Sequence, residues 1–272
     1  MGIIERIGQW KIQQLQRAVA RSPGSAKAWS RLHNYCLQHG RETVFAGFCQ
    51  EVLRHQPDNR QAWSFLGLED NSERRVFVKE LARLHPDDER IWEQLDALLG
   101  EQDSAELIEF CERLVQERPQ TLPAWTRLAR THKSQGRQPQ VLNACLHLLQ
   151  LNPGDAQTWC NLADAYAAKR KHTEAIAAYQ KSLSLKPNSI KALNSLGNVY
   201  QQQGRHLEAV GMFEKAVKLN PDDATPWVWL CMAYTELGEI KKATEAIARV
   251  NRKMPLMGAM LREELAAKQP SP

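Results

Sequence analysis

Residues 155–223 read DAQTWCNLADAYAAKRKHTEAIAAYQKSLSLKPNSIKALNSLGNVYQQQGRHLEAVGMFEKAVKLNPDD. Two copies of one pattern follow each other here at a spacing of 34 residues. Trp159 returns as Leu193, Leu162 as Leu196, Ala163 as Gly197 and Tyr166 as Tyr200. Ala175 returns as Ala209, Tyr179 as Phe213 and Pro187 as Pro221. Within a copy, Trp159, Ala163 and Tyr166 are four and three residues apart, which places them on one stripe of a helix that must face another helix. The small residue in the middle lets two helices approach, and the flanking rings fill the space between successive copies.

The pattern extends outward in both directions. Pro23, Pro57, Pro86, Pro119, Pro153, Pro187, Pro221 and Pro255 form a ladder with gaps of 34, 29, 33, 34, 34, 34 and 34 residues. Six residues after these prolines come Trp29, Trp63, Trp92, Trp125, Trp159, Leu193, Trp227 and Leu261, so six of the eight tryptophans share one phase. Two residues after each of the first seven prolines stands a helix-capping residue: Ser25, Asn59, Asp88, Thr121, Asp155, Ser189 or Asp223. Such side chains accept the free N–H groups at the start of the next helix. Met257 takes that place after Pro255 and marks the end of the regular array. Gly40, Gly136, Gly204 and Gly238 lie 17 residues past their prolines, where a turn between paired helices uses a left-handed residue.

Taken together, these residues resemble the tetratricopeptide repeat family, whose repeat is a helix, a turn and a helix with Trp, Leu, Gly, Tyr, Ala, Phe and Pro at fixed offsets. The resemblance covers about nine tenths of the chain and implies an all-α fold, a right-handed α-solenoid of about seven helix-turn-helix repeats with a flanking helix at each end. The expected repeats are 26–59, 60–88, 89–121, 122–155, 156–189, 190–223 and 224–257. Residues 1–25 form an N-terminal capping helix with an apolar face of Ile4, Ile7, Trp10, Leu15, Ala18 and Val19. Residues 258–272 form a C-terminal capping helix and a frayed tail. The second repeat is five residues short around Asp70, Asn71 and Ser72, so each of its helices is expected to lose up to a turn.

With 272 residues, 43% of them hydrophobic and 25% charged, the chain has the composition of a globular protein rather than of a collagen or a disordered segment. No apolar run approaches the roughly 20 residues of a membrane span, and the N-terminus carries no signal-peptide pattern, so a cytoplasmic protein is expected. The six cysteines lack zinc spacing and read as reduced thiols, most of them core filler. No phosphate loop, nucleophile elbow or metalloprotease motif occurs. The expectation is a protein without catalytic residues, metal or cofactor. A net charge of +5 is modest, and the basic residues are not interleaved with stacking aromatics, which argues against nucleic acid.

The resemblance further implies a concave groove lined by the first helix of each repeat, where the family takes extended peptides or partner helices. The expected lining is Arg127, Arg130, Lys133, Asn161, Lys191, Asn194 and Asn198, with Thr126, Gln157, Asp164 and Gln201 beside them and Cys160 projecting among them. The groove turns apolar at Val228, Trp229 and Met232. Family members that clamp a partner's C-terminal carboxylate do so with Lys, Asn and Arg in three successive repeats; here Arg130, Asn161 and Lys191 fit that scheme, while Thr126 and Ser195 depart from it. The expected function is a protein-binding scaffold or adaptor holding a peptide segment or partner protein, acidic or amide-rich. The alternative is a self-associating assembly protein. Residues 89–121 carry nine acidic against three basic residues directly before two basic repeats, a pattern that would suit head-to-tail pairing between copies.

Overall fold

The computed structural model describes residues 3–56, 59–66, 71–99 and 103–268, and its regular structure there is sixteen α-helices without a strand. They are α1 (Ile3–Arg21), α2 (Ala26–Gln38), α3 (Glu42–His55), α4 (Arg60–Phe65), α5 (Asn71–Leu84), α6 (Glu89–Leu99), α7 (Ser104–Glu117) and α8 (Leu122–Ser134), followed by α9 (Gln138–Leu151), α10 (Ala156–Ala168), α11 (His172–Leu185), α12 (Ile190–Gln202), α13 (His206–Leu219), α14 (Ala224–Glu236), α15 (Ile240–Lys253) and α16 (Pro255–Ala267). This is the helical-repeat fold expected from the 34-residue period. The helices group into two compact units, Met1–Ala124 and Trp125–Pro272, the division falling inside α8.

Helix starts are set by the expected residues. Ser25 accepts from the Ala28 N–H, Asn59 from Ala62, Asp88 from Arg90, Asp155 from Gln157 and Thr158, Ser189 from Ala192 and Asp223 from Thr225. The six-residue offset from proline to tryptophan has its own hydrogen bond. Trp29 Nε1 donates to the Pro23 carbonyl at 2.7 Å, Trp92 to Pro86 at 2.9 Å, Trp159 to Pro153 at 2.9 Å and Trp227 to Pro221 at 3.1 Å. Each indole thereby satisfies a carbonyl in the turn that precedes its own helix, where helical bonding cannot reach it.

In the first unit α1 lies on α2, and α2 through α7 pack in sequence order. Ile12 and Val19 are the buried residues of α1, whereas Trp10 is 58% exposed and Ala18 faces solvent, so the covering stripe is rotated away from the one expected. Trp29 is fully buried among Phe45, Phe48 and Phe65. The short repeat also departs from expectation: α4 has 6 residues, but α5 keeps 14, so the deletion falls on the first helix and its turn rather than on both helices. Asp70 lies outside the described residues.

α5 accounts for the acidic run. Arg75 pairs with Asp103 at 2.5 Å and with Glu106 at 3.3 Å, Lys79 pairs with Glu106 at 2.5 Å, and Arg83 pairs with Glu117 at 3.8 Å. The charge that looked available to another copy is largely matched by the preceding helix of the same unit.

In the second unit α10 pairs with α11, α12 with α13 and α14 with α15, and α16 packs on α15. The helices α10, α12, α14 and α16 also touch in series, forming one row. Tyr179, Phe213, Leu196, Leu230, Ile247, Leu261 and Leu265 belong to the continuous core. Trp159 and Tyr166, expected at its centre, are only half-buried and pack at its margin. The need for a small residue is explicit at Gly197: a methyl group there would stand 2.6 Å from Cε1 of fully buried Phe213. Gly40, Gly136, Gly204 and Gly238 take positive φ values of 62° to 73° in the turns between paired helices. Arg170 occupies the same place in its repeat with a φ of 56°.

Candidate functional site

The candidate site lies within the second unit, on the outward stripe of α8, α10, α12 and α14. Positions four and seven apart on a helix differ by only about 60° in direction, so Thr126, Arg130 and Lys133 share a face of α8 and Gln157, Asn161 and Asp164 share one of α10. Thr126, Arg130, Lys133, Gln157 and Lys191 are exposed, and Asn161, Asp164, Asn194, Asn198 and Gln201 are half-buried.

A carboxylate joins the row together. Asp164 in the middle of α10 accepts from Lys133 Nζ, in the last turn of α8, at 2.7 Å, and lies 3.3 Å from Lys191 Nζ, in the first turn of α12. Lys133 also donates to Asn161 Oδ1 at 3.2 Å, and Gln157 Nε2 donates to the same oxygen at 3.2 Å. The contacts thus run diagonally across three successive first helices. Beneath them, the Tyr179 hydroxyl donates to Asp164 Oδ1 at 2.6 Å, and Tyr179 itself is 2% exposed. Burial acts to raise the Asp164 pKa, but the hydrogen bonds from Lys133 and Tyr179 and the charges of Lys133 and Lys191 outweigh it, and the carboxyl is held below its ordinary range. Burial acts to lower the Lys191 pKa; the Asp164 charge prevails and raises it.

Two expected members of the surface belong elsewhere. Arg127 is 3% exposed: it stands about 100° round α8 from Thr126, on the packed side, and cannot reach a ligand as an edge residue would. Cys160 is 2% exposed and is part of the core cluster with Tyr179 rather than projecting outward. Burial first, and the Asp164 charge second, push its thiol up to about 11. At the other end of the row, Trp229 stacks on Phe213 with centroids 6.3 Å apart, and Val228 and Met232 are likewise half-buried against the core. The surface they leave open is apolar but shallow.

The oxygens Asn194 Oδ1 and Gln201 Oε1 on α12 are buried and have no hydrogen-bond partner within the protein. They are acceptors that an N–H donor would satisfy. The reading from the sequence placed Asn194 correctly; the signal for the unsatisfied oxygens is visible only once neighbouring helices are in place. It also gave no special weight to Asp164, which is a single acidic residue in a stripe otherwise read as cationic. Among the described residues no group of acidic, His and Cys side chains is arranged to hold a metal ion.

A chain of paired helices, capped at each start and joined by turns at a constant period, with an open polar row on its first helices, defines a helical-repeat scaffold of the kind that engages other proteins. Two family models described as tetratricopeptide repeat match residues 154–222 and 200–262. The chain is a tetratricopeptide repeat protein. Among solved structures, its fold is similar to that of MamA, with a TM-score of 0.53 and 20% identity over 63% of this chain and 96% of that one. It is also similar to PilW, a type IV pilus biogenesis factor, with a TM-score of 0.54 and 16% identity over 61% of this chain and 79% of that one. No curated protein matches the sequence.

Proposed function

We propose that the protein is a non-catalytic scaffold that holds an extended, acidic or amide-rich segment of a partner protein along the row formed by α8, α10, α12 and α14. The observation that carries this reading is the combination, on one face, of side chains linked across three helices with two buried amide oxygens that lack a partner, Asn194 Oδ1 and Gln201 Oε1. An extended peptide backbone has unpaired N–H groups that suit such acceptors. Arg130, Lys133, Asn161, Lys191, Asn194, Asn198 and Trp229 are the proposed contact residues. A reducing, cytoplasmic setting is in keeping with six free cysteines, all buried; among the described residues no helix is long and apolar enough to cross a membrane.

The test compares partners captured from the native cell by the unaltered protein, by an Arg130→Glu, Lys191→Glu variant and by an Asn198→Arg variant. Position 198 is equivalent to 130 in its repeat, which already carries an exposed arginine, so the fold should accept the longer side chain while the row is blocked. Loss of the same partners from both variants, with helicity and melting unchanged, is the expected result; retention by both would move the interface elsewhere.

Self-association is the second reading, and a specific observation favours it. Leu256 and Met260 on α16 are 84% and 62% exposed, an apolar face at one end of the second unit. Light scattering over a concentration series separates the two: a scaffold of the first kind keeps its monomer mass, and Leu256→Glu with Met260→Glu changes nothing.

A further inference from the structure

We infer that Asp164 is a specificity-determining residue of this face, an internal carboxylate that fills the seat between Lys133 and Lys191 and so turns acidic segments away. The inference rests on the reading of the row as a peptide-binding surface and narrows it to uncharged, amide-bearing segments.

The geometry is that of an occupied anion site. Two ammonium groups from α8 and α12 converge on one carboxylate oxygen, at 2.7 and 3.3 Å, and the second oxygen is fixed at 2.6 Å by the hydroxyl of buried Tyr179. An acid from another molecule would have to displace a carboxylate that is tethered in place, and a tethered ligand acts at an effective concentration on the order of millimolar or above. The displaced Asp164 would also lose the Tyr179 hydroxyl and would lie close to the incoming charge. Single exposed charge pairs attract too weakly to offset that. With Asp164 ionised, the three groups sum to one positive charge; with an amide in its place they would sum to two. What remains on offer to a ligand is the neighbouring amide set, Asn161, Asn194, Asn198 and Gln201, two of whose oxygens lack partners. These accept N–H groups and give no preference to carboxylates.

The experiment measures binding of fluorescently labelled hexaglutamate and hexaglutamine to the full chain by anisotropy, at low and at physiological ionic strength. Asp164→Asn keeps the side-chain shape and can still accept from Tyr179. It should bind hexaglutamate about tenfold more tightly than the unaltered protein at low salt, with the gain shrinking as salt screens the lysines, while hexaglutamine binding stays the same. Adding Lys133→Gln and Lys191→Gln to that variant should abolish the gain. Tyr179→Phe frees the carboxylate without removing its charge and should shift hexaglutamate binding the same way by a smaller factor; it decides the matter if Asp164→Asn loses its helicity. The inference is overturned by unchanged hexaglutamate affinity in a folded Asp164→Asn protein, by a gain that survives loss of both lysines, or by no hexaglutamate binding in any variant. The reading of the face itself is judged separately, by partner capture with the Asn198→Arg variant.

Discussion

Arg170 shows how far one residue can depart from the repeat without breaking it. Gly40, Gly136, Gly204 and Gly238 hold the left-handed conformation at the turn between paired helices, where the absent Cβ removes the steric cost, and Arg170 holds it with a full side chain at a φ of 56°. A left-handed residue with a Cβ costs roughly 1–2 kcal/mol, partly offset because glycine leaves the unfolded chain freer. Arg170 is exposed. Arg170→Gly should therefore raise stability by about 0.5–1 kcal/mol, read as a higher denaturation midpoint with an unchanged slope. An unchanged or lower midpoint would mean that the arginine makes a compensating contact.

At the scale of the helix, two effects of opposite sign meet at Gly197. Alanine favours the helix interior by up to about 1 kcal/mol over glycine. Against that, its methyl would sit 2.6 Å from a ring carbon of Phe213, which is fully buried and has nowhere to move. Overpacking of this kind costs about 1–3 kcal/mol, so Gly197→Ala should destabilise α12 against α13 despite the better helix former, and Phe213→Leu added to it should recover part of the loss. Melting of the single and double variants measures both; a Gly197→Ala protein that melts higher would show that the two helices adjust freely. Small residues, caps and turn glycines of this sort were legible in the sequence because each answers to contacts within a few residues or within one helix pair. The binding face was legible only in part. Whether Arg127 and Cys160 look outward depends on how three successive repeats stack, and a stripe drawn on one helix contains no term for its neighbours. Asp164 was missed as the centre of the row for the same reason: its lysines come from 31 residues before and 27 after it.

For the molecule as a whole, division into two units has a thermodynamic consequence. Each unit has its own buried aromatic centre, Trp92 in the first and Phe213 with Tyr179 in the second. Repeat proteins gain stability from neighbouring interfaces rather than from one shared core, so damage should stay near its source. Trp92→Ala removes a side chain of zero exposure together with its bond to Pro86 and should cost about 3–5 kcal/mol. Hydrogen exchange should then quicken in α5, α6 and α7 while α10 through α15 keep their protection. Equal loss of protection along the chain would require a single cooperative unit instead.

The bond from each indole to the proline carbonyl six residues earlier spans almost no chain. Contacts of such short range close quickly, because little loop entropy is lost, and they need nothing downstream to be present. During synthesis the chain emerges from its N-terminal end, and each turn can be latched as soon as its own tryptophan is out. Trp29 and Trp92 would secure their turns long before the helices that later cover them exist. Where leucine stands in that place, at Leu193 and Leu261, the side chain has no N–H to give, and those two helices must wait for their neighbours to fix where they begin.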